Sequence, residues 1–207
     1  MFGISTRPQP VSEPDLPAGR NGAANAAEAA LLDRTALGDL RAFETLYRAY
    51  FPRLTRFLER MTRRPDLVEE ILNDTMLVVS NGAHKYNRTS KVSTWIFAIA
   101  YRKALKALRD TRDFADTDVD IAELAGADEH EPKEELLQQQ LRRVLSEAVE
   151  ALSANHRAVI ELTYFQEMGY REIADIMGCP LETVKTRMFH ARRRLKALLP
   201  DKLEDLL

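Results

Sequence analysis

At 207 residues, 45% of them hydrophobic, the chain has room for one large or two small globular domains. Its single cysteine, Cys179, excludes an intramolecular disulfide and fits a reducing compartment. The net charge of −2 hides segregation, because residues 38–109 carry 14 Lys/Arg against 7 Asp/Glu while residues 110–135 carry 11 acids against 2 bases.

Residues 1–22 contain Pro8, Pro10, Pro14, Pro17, Gly19 and Gly22 and few large apolar groups, so disorder is expected there. Ala23–Leu37 is Ala-rich and compatible with a helix, and residues 1–37 read as an N-terminal extension. Gly38 breaks the chain and Asp39 suits the N-cap of a helix over 39–63, patterned by Phe43, Leu46, Tyr47, Tyr50, Leu54, Phe57, Leu58 and Met61. Arg64-Pro65-Asp66 starts a third helix that runs to about Ser80 and is ended by Asn81-Gly82. A polar, basic loop follows, and Ser93 or Thr94 is expected to cap a fourth helix from Trp95 to about Thr111. Residues 112–135 are acidic and lack periodicity, which marks a linker. Helical spacing returns from Glu134, is interrupted at Leu152–Asn155, and resumes over about 155–166.

Tyr170 to Leu199 then reads as a short helix, a tight turn at Gly178-Cys179-Pro180, and a longer basic helix. Gly178 suits a left-handed helix end and Pro180 the first turn of the next helix. Val184, Met188, Ala191 and Leu195 form one apolar stripe. The pattern is a helix-turn-helix, whose second helix normally enters the DNA major groove. Glu182, Thr186, Phe189, His190 and Arg193 face away from the stripe, with Lys185, Arg187, Arg192 and Arg194 flanking them. Flanking cations suit phosphates, and the central positions suit base edges. The alternative is a solvated basic helix ending a bundle. Cys179 in the turn is read as a small apolar filler.

No segment alternates with period two, so the expected fold is all-α. It comprises two small helical domains, 38–111 and 136–200, joined by the acidic flexible linker 112–135, with a tail at 201–207. The longest apolar run, Trp95–Tyr101, is far too short to span a bilayer, and no signal peptide is apparent. A cytoplasmic protein without membrane insertion is therefore expected.

Two further surfaces stand out. In the third helix, Val68, Ile71, Leu72, Thr75, Val78 and Val79 predict one apolar face, and Glu69, Glu70, Asn73 and Asp74 surround Leu77 on the other, with Met76 at its edge. An exposed leucine amid hydrogen-bonding groups fits the centre of a protein interface better than a solvated face. The loop His84-Lys85-Tyr86-Asn87-Arg88-Thr89-Ser90-Lys91 and Trp95 interleave cations with aromatic rings, a mixture suited to unstacked single-stranded bases. Trp95 as a core aromatic stays open. Arg102, Lys103, Lys106 and Arg109 extend the positive charge along the fourth helix.

These blocks together resemble bacterial sigma factors of the extracytoplasmic-function group, over about residues 38–110 and 138–199. The most specific matches are Tyr170-Arg-Glu-Ile-Ala, Thr183-Val-Lys-Thr-Arg and Ala191-Arg-Arg-Arg-Leu, with Glu69-Glu70, Asn73-Asp74 and Ser93-Thr-Trp-Ile-Phe-Ala-Ile-Ala100 before them. The resemblance implies that Glu69, Glu70, Asn73, Asp74 and Leu77 grip the clamp helices of the largest subunit of RNA polymerase core. It implies that Lys85, Tyr86, Asn87, Arg88, Ser90, Lys91 and Trp95, with Arg102, Lys103 and Lys106, take the minus-ten element of promoter DNA. Glu182, Thr183, Lys185, Thr186, Arg187, Phe189, His190, Arg192 and Arg193 would read the minus-thirty-five element, with the second domain seated on the flap of the second-largest subunit. An anti-sigma factor would hold such a protein inactive. Where the family commonly has Arg-Asn this chain has Tyr101-Arg102, and Ser153 stands where Pro is common.

Two other readings compete. A polymerase-independent helix-turn-helix regulator would dimerise, for which residues 134–150 offer a helix, and would bind a palindrome. A sigma mimic that only sequesters an anti-sigma factor would lack the basic Lys185–Lys196 cluster. An enzyme is disfavoured. His84, His130, His156 and His190 are scattered in sequence, no metal-ligand spacing, phosphate loop or nucleophile motif appears, and no catalytic residue, metal or cofactor is expected.

Overall fold

The computed structural model describes residues 19–110 and 148–198, and among these residues every regular element is helical. The first unit contains α1 (Gly19–Ala36), α2 (Leu40–Thr62), α3 (Pro65–Gly82), a 3-10 turn (Ala83–Lys85) and α4 (Val92–Asp110). The second contains α5 (Ala154–Tyr164), α6 (Tyr170–Met177) and α7 (Leu181–Leu198). The acidic linker expected at 112–135 and the residues before 19 lie outside the described residues.

Local chemistry sets the helix ends. Gly38 takes φ +87° and ends the turn after α1. Asp39 then caps α2, its carboxylate accepting from the amides of Arg41 and Ala42 at 3.0 and 3.1 Å. The Arg34 guanidinium and those two amides hold that carboxyl below the ordinary aspartate range. Along α2 the buried residues Leu46, Tyr50, Leu54, Phe57, Leu58 and Met61 recur at helical spacing, and Phe57 meets Phe97 of α4 edge-on at 5.3 Å. The Ala-rich segment forms α1 and packs on this core, with Leu32 fully buried and Glu28 accepting from the Tyr50 hydroxyl at 2.7 Å.

Two expectations for α3 are corrected. Val78 is 38% exposed, whereas Met76 is 1% exposed and belongs to the core. Because α3 lies between α2 and α4, its apolar face is rotated toward Met76, and Val78 swings out beside Leu77. A third correction concerns α4, which starts at Val92 rather than Trp95. Neither Ser93 nor Thr94 caps it: both lie inside the helix, and the Val92 amide is instead taken by Asn25 of α1 at 2.9 Å.

The run Ile96–Tyr101 is buried all round because α4 is covered on two sides. One side meets α2 and α3, and the other meets α6 of the second unit. The two units are thus docked, and their buried apolar residues form one continuous cluster. Polar groups cross the seam. Arg157 of α5 is 8% exposed and donates to the carbonyls of Met61, at 2.8 Å, and Leu152. Arg60 pairs with the buried Glu161 at 2.8 Å, Tyr101 donates to Asn155 at 2.7 Å, and Arg53 donates to Gln166 at 3.1 Å. Glu172 of α6 accepts from Lys91 at 2.9 Å and Thr94 at 3.3 Å, while its other oxygen takes the Gly169 amide at 3.1 Å.

Burial sets the ionisation of the seam. It pulls the Arg157 pKa down to about 10 and raises that of Glu161, against the opposing pull of Arg60. Arg157→Ala leaves the Met61 and Leu152 carbonyls without their donor, and should cost roughly 1–3 kcal/mol in chemical denaturation. Glu161 binds its proton more tightly folded than unfolded, so its contribution to stability grows as pH falls from neutral toward the usual glutamate range and is lost as pH rises through the raised value. Glu161→Gln should remove that component, which denaturation of both proteins at pH 5 and pH 7.5 will measure.

Candidate nucleic-acid interface

The helix-turn-helix is built as its residues require. Gly178 takes φ +62°, and its amide bonds the Ala174 carbonyl as α6 ends. Val184, Met188 and Ala191 are fully buried, and Leu195 packs partly against the same core. Glu182, Thr186, Phe189, His190 and Arg193 are all exposed along the opposite side of α7. Thr183, Lys185, Arg187 and Arg192 lie half-exposed on its flanks. Several of these groups already have partners. Lys185 pairs with Glu182 at 2.8 Å, and Arg192 donates to the Tyr164 hydroxyl at 2.6 Å. Arg187 turns toward Cys179, its nitrogen 3.8 Å from the sulfur. Cys179 is half-buried, and burial raises its thiol pKa. His156 and His190, distant in sequence, have ring centroids 6.4 Å apart.

The loop before α4 is tightly organised. Tyr86 donates to the Ser90 carbonyl at 2.6 Å, and the Asn87 carboxamide accepts from the Thr89 amide and hydroxyl at 3.1 and 2.7 Å. Arg88 takes the left-handed conformation, φ +61°, and its guanidinium pairs with Asp33 of α1. The Tyr86 and Trp95 rings pack against each other with centroids 5.6 Å apart, both half-buried. Trp95 is therefore neither a full core residue nor a free platform; it lies at the margin of the core with Tyr86 over it. Lys85, Asn87, Arg88, Arg102 and Lys106 are exposed. Ser90 and Lys91 are half-buried, and Lys103 pairs with Asp74 at 2.6 Å.

On α3 the exposed groups Glu69, Glu70, Asn73 and Leu77 share one surface, with the half-buried Asp74 beside them. Leu77 is 58% exposed, and Val78 widens the apolar spot. This surface is turned away from the core that α3 forms with α2 and α4.

Sequence reading missed three side chains that shape these surfaces. Asn25 and Asp33 sit on α1 and hold the loop, and Glu172 bridges the two units. A spacing argument finds neighbours on one helix, whereas these pairs are separated by 55 to 81 residues and become neighbours only through the fold. Among the described residues no group of three or more His, Cys, Asp or Glu side chains could hold a metal ion, and no helix is long and apolar enough to cross a membrane.

Comparison with known proteins agrees with this arrangement. Residues 46–114 match the family described as Sigma-70 region 2, and residues 142–195 match Sigma-70, region 4. The chain is 31% identical over 159 residues to the ECF RNA polymerase sigma factor RpoE of Cereibacter sphaeroides, covering 76% of this chain and 86% of that protein. It is 27% identical over 165 residues to the RNA polymerase sigma factor YlaC of Bacillus subtilis, covering 79% of this chain and 95% of that protein. The solved structure of CnrH in complex with the cytosolic domain of CnrY shares the fold, with a TM-score of 0.62 at 23% identity over 85% of this chain and 99% of that one. With both sigma-70 regions present in order, and a relative above 30% identity aligned over most of its length, the chain belongs to the extracytoplasmic-function group of RNA polymerase sigma factors.

Proposed function

We propose that the chain directs core RNA polymerase to specific promoters and holds the start site open, with no catalytic chemistry of its own. The observation that carries this reading is the pairing, in one chain, of an exposed cationic helix-turn-helix surface with a cationic, aromatic loop at the start of α4. The first chemistry suits duplex DNA and the second suits unstacked bases. In this reading Glu69, Glu70, Asn73, Asp74 and Leu77 contact the clamp helices of the largest polymerase subunit, and the second unit sits on the flap of the second-largest. Lys85–Lys91 and Trp95, with Arg102, Lys103 and Lys106, take the minus-ten element, and the Glu182–Arg193 surface takes the minus-thirty-five element.

The docked seam adds a requirement. Promoter elements centred about 25 base pairs apart are separated by about 85 Å at 3.4 Å per pair. In the docked chain Lys91 and Thr94 touch Glu172 on α6, and α7 packs directly on α6. At helix spacings of 8–10 Å the two reading surfaces are only about 20 Å apart. The units must therefore separate on the enzyme. An anti-sigma factor is proposed as the partner that blocks this step; a solved structure of a Bartonella quintana RpoE, whose fold this chain shares at a TM-score of 0.55, holds the anti-sigma factor NepR.

Purified chain mixed with sigma-free bacterial core polymerase should produce discrete transcript starts across a genome, preceded by two shared sequence elements. Failure to bind core, or binding without initiation anywhere, overturns the reading. Leu77→Asp, at an exposed position, should leave the helical content intact and weaken core binding by about tenfold or more, as for an interface anchor. Arg193→Ala should cost about 1–3 kcal/mol on promoters with an intact minus-thirty-five element and little on those lacking it, measured by run-off transcription.

A further inference from the structure

The first residue of α4, Val92, has no preceding helical turn to accept its amide proton, and it is fully buried, so water is not a ready substitute. Asn25 supplies the acceptor from α1, 67 positions away, with its carboxamide oxygen 2.9 Å from the Val92 nitrogen. This is an N-cap provided in trans. Three other contacts set α1 in register so that Asn25 arrives there: Leu32 buried in the core, Glu28 bonded to Tyr50, and Asp33 paired with Arg88. Asn25, Glu28 and Asp33 thus lie along the side of α1 that faces the first unit and its loop.

We propose that Asn25 is a positioning residue for minus-ten recognition: from α1 it fixes the start of α4, and with it Trp95 and the end of the loop that presents Tyr86 to Lys91. The proposal rests on the promoter reading given above. Val92 joins the loop to the helix. Its amide is bonded to α1, the next turn is closed by the Trp95 amide on the Lys91 carbonyl, and the Tyr86 ring packs at a tilt against Trp95. Loss of the cap frees the joint from which both aromatic rings are aimed. Asn25 is half-exposed and polar, so its replacement by alanine takes no apolar side chain from the core.

The test uses the full chain with Asn25→Ala and Asn25→Asp, the latter retaining an acceptor that also suits a helix N-terminus. In the polymerase-free protein, hydrogen exchange at the Val92 amide should speed up by roughly tenfold or more in N25A and return to the wild-type rate in N25D. In holoenzyme rebuilt with core polymerase, transcription is compared on a mapped promoter and on single-base variants of each element. N25A should reduce discrimination among minus-ten variants by about tenfold, the size of one well-made base contact. Discrimination at minus thirty-five and affinity for core should hold, and N25D should restore the minus-ten preference. Unchanged Val92 exchange, unchanged minus-ten discrimination, an even loss across both elements, or N25D behaving as N25A would each overturn the proposal. If the wild-type holoenzyme selects no start site at all, the promoter reading fails with it, and the exchange data still report separately on the cap.

Discussion

A guanidinium withdrawn from water needs acceptors, and Arg157 finds one across the boundary between the two halves of the molecule, the Met61 carbonyl, and another in its own half at Leu152, while its Nε stays buried without a partner among the described residues. Its bonds to the last turn of α2 and to the segment before α5 make the seam specific as well as apolar. Leucines and phenylalanines would pack in many registers. A buried arginine aimed at two carbonyls, a tyrosine hydroxyl aimed at one asparagine and a carboxylate aimed at one arginine accept far fewer. Tyr101 belongs to this set. It stands where the family commonly has arginine, and a phenol buried against α5 gives the departure a structural role in docking.

Much of the fold was legible because it is local. Asp39, Pro65 and Gly178 start or end helices by rules that involve only a few neighbouring residues, and the Val184–Met188–Ala191 stripe needs only a helical period. The exposed face of α7 followed from the same wheel. What escaped was set by packing at a distance. Val78 and Met76 exchanged places because α3 is packed between two neighbouring helices, which turns Met76 into the core and leaves Val78 outside. Thr94 looked like a cap but bonds Glu172, and the true acceptor for the start of α4 lies on α1. The seam itself leaves no periodic trace, since polar residues such as Asn155, Arg157 and Glu161 read as surface until a partner covers them.

The electrostatic picture changes in the same way. A count of cations along the loop and α4 suggests an open positive surface, yet Arg88, Lys91 and Lys103 are each paired with a carboxylate of another element. Nonspecific association with nucleic acid is largely a matter of available positive charge. A chain that neutralises part of its own charge while docked presents Lys85, Arg102 and Lys106 at its surface and keeps others engaged. Partially exposed ion pairs of this kind are weak, so they yield when a better anion is positioned against them.

Glu172 joins two roles in one side chain. One oxygen secures the first turn of the helix-turn-helix, and the other reaches across to Lys91 and Thr94. A mutation there would fray the reading motif and loosen the docking at once, so selection for an always-open variant has little to gain at that position. Evolutionary drift toward a constitutive descendant is more accessible on the opposite shore, through Thr94 or Tyr101, where release leaves the helix-turn-helix whole.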